Sequence, residues 1–365
     1  MQNRAKRNKR RRQVSLITNI ISCIITLAAL TGCIVLLLQN YSLKNKGLEA
    51  SARISEYEGY VAEHIYTQAD VDAFKEEAAL GAKEEQKAEI LIDIKQRMAT
   101  GGSTAQMLRD YYPDDVVVYS DGQYNFFPIS ETLKKHDYVY DNFLVNEENR
   151  QITYVDDTDV VLSKKGIDVS KHQGRINWEK VADDGVEYAF IRAGFRGSSE
   201  GAIVEDEYFV DNIEGALDNG IDVGIYFYTQ ALDEEEAIEE AEFVLELIED
   251  YDVKYPVVFD IEEPTSSSAR TAKMTKEEYT AVTLAFCEKI KEAGYEPMVY
   301  GNLKTFLIML DMEQLEDYEK WFAYYNEQVY FPYEFGIWQY SSTGSVNGIE
   351  GDVDLNVCMK DYGKE

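Results

Sequence analysis

From Gly166 onward, short apolar or β-branched runs alternate with longer amphipathic stretches. The runs are Ile167–Val169, Tyr188–Arg192, Val223–Tyr228, Val257–Ile261, Met298–Tyr300, Trp321–Tyr324, Gly336–Gln339 and Val353–Val357. Apolar residues recur at helical spacing in Trp178–Ala182, Tyr208–Asp218, Glu234–Ile248, Lys276–Ala293 and Leu303–Leu310, one pattern after each of the first five runs. Strands that alternate with helices imply parallel βαβ units. The last three runs lie too close together for full helices between them. The pattern therefore predicts an α/β domain of eight strands over residues 165–365, with an irregular final third.

The preceding residues follow other rules. Val14 to Leu38 is an almost unbroken apolar run without a charge. At about 1.5 Å per residue it is long enough to cross a bilayer core of about 30 Å. Residues 1–13 carry seven cations, from Arg4 to Arg12, and no acid. A cationic flank of this kind stays cytoplasmic, which would put the rest of the chain outside. We expect residues 14–38 to be an uncleaved transmembrane helix. Two other readings stand beside it: a cleaved signal peptide, and a lipoprotein processing site at Leu30–Thr31–Gly32–Cys33.

Residues 39–100 are rich in Glu, Ala and Lys, with apolar positions such as Ile54, Tyr57, Val61 and Ile65 at helical spacing. Thr67–Gln68–Ala69–Asp70 reads as a capping box opening a second helix. A solvated helical stalk is expected; a coiled-coil dimer would need sustained heptads, which are absent. Residues 101–146 predict a small membrane-proximal module. In it, Val116–Tyr119 and Tyr124–Phe127 flank a turn at Asp121–Gly122, and Ser130 would cap a short helix through Leu133. Residues 147–164 read as an acidic linker.

Charge narrows the function. Lys and Arg total 36 and Asp and Glu 68, a net charge of −32. Without the seven N-terminal cations the remainder has 29 bases against 68 acids, a net of −39. Such a body does not bind nucleic acid electrostatically. The four cysteines form no disulfide framework; Cys23 and Cys33 lie in the apolar run, and a Cys287–Cys358 bridge is the one pairing left open. The three histidines, His64, His136 and His172, lie in no cluster with metal-ligand spacing, so no metal or cofactor is expected.

The chemistry sits at strand ends, where parallel barrels carry their active residues. Asp168 ends the first strand, and Asp260 and Glu262 end the fourth. The i, i+2 spacing of that pair turns both side chains to one face, with Ile261 toward the helices. Carboxylates crowded on one face repel each other, so one is held protonated near neutral pH, as a general acid requires. An acid beside ionised carboxylates is the equipment for cleaving a glycosidic bond. Ser170 has no identifiable base partner, so a serine hydrolase is not supported.

Three segments together carry a resemblance: Asp168–Val169–Ser170 with Gln173–Gly174 and Trp178; Asp260–Ile261–Glu262 after a buried run; and Trp338–Gln339–Tyr340 followed by Val353–Asp354–Leu355–Asn356. In this order they resemble glycoside hydrolase family 25, the muramidases (lysozymes) that cut peptidoglycan, over about residues 165–358. The resemblance implies a closed, irregular (β/α)5β3 barrel. It implies cleavage of the β-1,4 bond between N-acetylmuramic acid and N-acetylglucosamine, with Glu262 as the acid and Asp168, Asp260 and Asp354 as further catalytic carboxylates. Substrate contacts are expected from Tyr226, Tyr228, Tyr300, Trp321, Tyr324, Trp338, Gln339 and Arg192, since aromatic faces stack on sugar rings and a buried amide needs partners. The sequence departs from the family pattern at Tyr226–Phe227–Tyr228, where many members carry a histidine in the middle. His172 is expected on the surface beside Asp168.

The implied setting is a bacterial plasma membrane crossed once, with the hydrolase outside against peptidoglycan glycan strands. An acidic body has no general attraction for an anionic wall, so the tether would hold it there. A protein partner could dock on residues 42–146. Rival readings are a catalytically weak wall-binding scaffold with the same fold, and an enzyme for another N-acetylated glycan such as chitin.

Overall fold

The computed structural model describes residues 30, 37–60, 67–264 and 266–363. Most of the expected transmembrane run, 14–38, lies outside the described residues. Among the described residues no helix is long and apolar enough to cross a membrane. Two units emerge, Met1–Gln96 and Arg97–Glu365.

Residues 37–60 form helix α1, and helix α2 runs from Gln68 to Ala99. The capping box forms as its sequence predicts. The Thr67 amide donates to Asp70 Oδ2 (2.8 Å), and the Asp70 amide donates to Thr67 Oγ1 (3.3 Å). None of the 32 residues of α2 is buried, so its ladder of backbone bonds stands in solvent with Glu and Lys around it.

The second unit holds the barrel. Its strands are β5 (Lys164–Val169), β6 (Tyr188–Arg196), β8 (Asp222–Tyr228), β9 (Val257–Asp260), β10 (Pro297–Gly301), β11 (Glu319–Ala323), β12 (Ile337–Gly344) and β13 (Val353–Cys358). They follow one another in that order, and β13 closes onto β5. All eight predicted runs are therefore strands of one closed sheet. The short β7 (Ile203–Glu205) extends β6 as a hairpin. Seven strands run parallel, and β13 runs antiparallel to both neighbours. That reversal matters to the site: the start of β13, where Asp354 lies, sits at the same end of the barrel as the C-terminal ends of the others.

Helices α4 (Trp178–Asp183), α5 (Phe209–Asp218), α6 (Glu234–Ile248) and α7 (Lys276–Glu292) cover the first four crossovers. Each predicted pattern there became a helix. The fifth, Leu303–Leu310, shrank to a single π turn, Thr305–Met309, closed by the Leu310 amide on the Thr305 carbonyl. The barrel interior is filled with rings. Tyr188 stacks on Tyr255 (4.5 Å between centroids) and Phe190 on Trp321 (4.4 Å). Gly166 is required opposite them, because a Cβ there would run into the Tyr188 ring. Cys287 and Cys358 are both buried and free, so the bridge left open by the sequence does not form.

Residues 101–164 pack differently from a separate module and linker. Helix α3 (Thr104–Tyr111) precedes a hairpin of β1 (Asp115–Ser120) and β2 (Gln123–Pro128), and β3 (Phe143–Val145) pairs with β4 (Ile152–Tyr154). The β1–β2 turn is as predicted, with Asp121 and Gly122 both at positive φ (53° and 78°). Ser130 does not cap a helix; its hydroxyl accepts from the Thr132 and Leu133 amides in a tight turn. Val116, Val118, Leu133, Phe143 and Ile152 are buried in the same core as Phe331, Tyr333, Phe335 and Trp338. These residues cover the barrel where its last crossovers carry no α-helix. Each buried side chain of this size stabilises by about 1.5–3 kcal/mol, which two isolated hairpins lack on their own.

Candidate active site

The local sequence explains how Asp168 is held. After β5 the chain turns at once. The Ser170 amide donates to Gln173 Oε1 (2.9 Å), and Ser170 Oγ accepts from the His172 amide (3.3 Å). Gly174 follows at φ 61°, which glycine adopts without strain. The Ser-Lys-His-Gln-Gly motif is thus a turn that closes the first strand beside its carboxylate. Trp178 is buried against α5, where Gly215 leaves room for its ring.

Asp168, Asp260, Glu262 and Asp354 line one cavity of about 410 Å³ at the C-terminal end of the parallel strands. Asp260 ends β9 and Glu262 follows in the loop. Ile261 between them is buried in the outer core, as the alternation requires. Asp354 is the direct cross-strand partner of Asp168.

Burial is the first cause that raises all four acids. Asp168 is pushed well above the carboxylate range by burial and then by Asp354, against the pull of Asn356 and Gln339. Asp260 is raised as strongly, by burial and then by Glu262. Glu262 is raised by burial and then by Asp354. Asp354 is pushed up to about 6 by burial, with a smaller push from Asp352. Where the sequence argument raised one acid, the structure raises four. The cluster titrates as a unit and keeps a proton toward neutral pH.

Two carboxamides hold Asp168. Its Oδ2 accepts from Gln339 Nε2 (2.8 Å) and from Asn356 Nδ2 (2.7 Å). Each amide is oriented by donors on its other side. Trp321 Nε1 donates to Asn356 Oδ1 (2.7 Å), and the hydroxyls of Tyr300 (2.7 Å) and Tyr325 (3.0 Å) donate to Gln339 Oε1. An indole N–H only donates, so it fixes the Asn356 oxygen and turns the NH2 toward Asp168. Asp260 has no such partner, and its Oδ1 is buried without a hydrogen bond.

Tyr226, Tyr228, Tyr300, Gln339 and Arg192 line the cavity. Arg192 is hydrogen-bonded elsewhere: its Nε donates to Asp206 Oδ2 (2.7 Å), and it acts on Asp260 through its charge, which pulls that carboxyl down against burial. Trp321 also lines the cavity, but as its floor; it is 1% exposed and has no free face for a sugar. Tyr324 and Trp338 do not line it. Tyr324 points to α3 and accepts from Arg109 Nη1, and Trp338 is buried against Phe143 with its Nε1 on the Tyr324 carbonyl. Strand period is the reason. Trp321, Ala323 and Tyr325 share one face, and Tyr324 takes the other. Gln339 faces in, so its neighbour Trp338 faces out. The sequence reading missed Tyr325, 56% exposed at the rim, and Asn356. Counting in twos from Trp321 finds the first. His172 is exposed, as expected, but at the mouth of the cavity.

Comparison with known proteins agrees with this geometry. A family model described as glycosyl hydrolases family 25 matches residues 167–349. YegX of Escherichia coli K12, an uncharacterized protein, is 31% identical over 201 residues, 53% of this chain and 68% of that protein. The autolytic lysozyme of Clostridium acetobutylicum is 27% identical over 193 residues, 53% of this chain and 55% of that one. Among solved structures, the modular autolysin LytC of Streptococcus pneumoniae, in complex with a synthetic peptidoglycan ligand, superposes with a TM-score of 0.50 at 27% identity. That match covers 66% of this chain and 57% of LytC. The four clustered carboxylates, the closed eight-strand barrel and these matches place the chain in family 25 of the glycosyl hydrolases, and it is a glycoside hydrolase.

Proposed function

We propose that this chain is a muramidase, hydrolysing the β-1,4 bond between N-acetylmuramic acid and N-acetylglucosamine in peptidoglycan. The observation that carries the reading is the crowding of Asp168, Asp260, Glu262 and Asp354 in one cavity whose lining arginine is already paired. In our reading Glu262, the least buried of Asp168, Asp260 and itself, protonates the glycosidic oxygen of the leaving sugar. Asp168, whose two N–H donors favour its ionised form against the upward push of burial, is in our reading the carboxylate that stabilises positive charge at the anomeric carbon. Asp260 and Asp354 complete the negative field. The exposed ring of Tyr325 offers a stacking face at the rim.

The apolar run at residues 14–38 supports a tether to the bacterial plasma membrane, with the N-terminus cytoplasmic and the hydrolase outside. Retention in washed membranes, and removal of the hydrolase by protease added outside, are the expected results in cells; release into the medium would count against it.

Product chemistry tests the bond assignment. Purified peptidoglycan is digested, the fragments are reduced with borohydride, and their masses are read. Reduced muramic acid ends are expected. Reduced glucosamine ends would make the enzyme a glucosaminidase instead.

A further inference from the structure

We infer that residues 103–138 act as a clamp on the rim of the active site, with Arg109 as a positioning residue for Tyr325, Gln339 and Asp168. The inference rests on the hydrolase reading above. It concerns a segment outside the matched family residues, 167–349.

The clamp grips the connection between β11 and β12. That stretch, residues 324–336, has no helix to brace it. Loops of this length without structure of their own are uncommon in compact domains. Here the bracing comes from about two hundred residues upstream. The Arg109 guanidinium lies 3.7 Å from the centroid of the Tyr330 ring, and its Nη1 donates to Tyr324 Oη. The Val117 amide donates to Tyr330 Oη (2.9 Å) and the Ser130 amide to Tyr333 Oη (3.0 Å). Tyr138 Oη donates to the Phe335 carbonyl (2.8 Å), and the Glu334 amide to the Lys134 carbonyl (3.0 Å). A second grip lies across the rim. Asp121 at the hairpin tip accepts from Lys304 Nζ (3.2 Å), which also pairs with Glu263, the residue after Glu262.

A short path leads from the first grip to the carboxylate. Tyr324, held by Arg109, is bonded in the chain to Tyr325. Tyr325 Oη donates to Gln339 Oε1, and Gln339 Nε2 donates to Asp168 Oδ2. The Tyr324 amide also donates to the Gln339 carbonyl (2.9 Å). The loop and the amide therefore move together. Around Asp168 the other charged or titratable groups lining the cavity are Asp354 on β13, Asp260 at the end of β9 and Glu262 after it, Arg192 on β6, His172 after β5, and Tyr226, Tyr228, Tyr300 and Tyr325. Loosening Gln339 leaves Asn356 as the remaining donor to Asp168 Oδ2.

The test uses the full chain and Arg109→Met, which keeps the side chain's packing and removes the fork. We expect kcat on solubilised peptidoglycan to fall about tenfold or more, with KM within about twofold, because the loss is one of alignment. Arg109→Lys should recover part of it. The acid limb of the kcat/KM profile should move up, as Asp168 loses support for its ionised form. In a Tyr325→Phe background the same change should add little, since both act through Gln339. If Arg109→Met does not fold, Tyr324→Phe removes the same bond and takes its place. Wild-type kcat in a folded variant, or fully additive effects, would overturn the clamp. Absence of turnover in the wild type would instead overturn the hydrolase reading. The clamp is then read from the titration of the Asp168 carboxyl carbon by NMR, which should shift in the variant, and an unchanged titration would overturn it.

Discussion

Asp168 and Asp354 stand directly opposite each other on adjacent antiparallel strands, β5 and β13. Side chains so placed have Cβ atoms about 4.5–5.5 Å apart, and like charges there repel. Asp354 is accordingly the second cause, after burial, of the raised Asp168 carboxyl. A fold selected for stability alone would not put two acids there. The barrel does so because β13 runs backwards and brings its first residues to the catalytic end.

Asp354→Asn should separate activity from stability. The Asp354 carboxyl titrates at about 6 in the folded chain, above its ordinary value. Its folded pKa is raised, so the folded state holds the proton more tightly than the unfolded one. Its contribution is full below pH 4 and is lost as pH rises to about 6. The variant should therefore be more stable than the parent at pH 7, by on the order of 1–2 kcal/mol after discounting partial exposure. Its hydrolysis should fall at least about a hundredfold. Melting curves at pH 4.5 and 7.5 check the sign; a variant less stable at pH 7.5 would be the wrong result.

Asn356→Leu removes the second donor to Asp168 and the acceptor of Trp321 Nε1. A buried indole N–H left without a partner costs about 1–3 kcal/mol. We expect a lower melting temperature and a higher apparent pKa on the acid limb of the rate profile. An unchanged acid limb would show that Asn356 does not support the ionised form.

Trp338 and Gln339 are adjacent but face opposite sides of the sheet. Trp338→Ala should cost about 3–5 kcal/mol by emptying the core under β3 and β4, while folded molecules keep their kcat. Gln339→Ala should reverse the pattern, with most of the loss in kcat. Unfolding curves beside kinetics on the same preparations decide it.

The β6–α6 junction rests on a buried ion pair away from the cavity. Arg196 Nε donates to Glu240 Oε1 (2.7 Å), and both residues are almost fully buried. Burial pushes Glu240 up to about 7, while Arg196, bonded also to Glu239 and two carbonyls, keeps its charge. Arg196→Leu leaves Glu240 uncompensated and should cost about 3–5 kcal/mol at pH 8. At pH 5, where Glu240 is protonated, the deficit should shrink. Adding Glu240→Leu should recover most of it.

Much of the barrel was legible because parallel strands buried on both faces read as short apolar runs, and their ends carry the chemistry. Asp168, Asp260 and Glu262 are legible that way and Asp354 only through the family resemblance, and all four line one cavity. Strand period turns Tyr324 and Trp338 away from the cavity. Trp321 and Tyr324, three apart, cannot share a face, nor can Trp338 and Gln339. The place of the β1–β2 hairpin was not legible at all. Its sequence shows that it needs a covering surface, but Tyr330 and Tyr333, which supply it, lie more than two hundred residues later. Nothing local encodes that pairing.

The most direct test of the account is Glu262→Gln, which keeps the shape of the side chain and removes its proton. The full chain and the variant are incubated with purified peptidoglycan across pH 4–8, and reducing ends are counted. We expect the variant to retain its fold and its binding to the polymer, with release of ends down at least about a hundredfold at every pH. A variant that cleaves at the parental rate would contradict the assignment of the acid and, with it, the mechanism built on the carboxylate cluster.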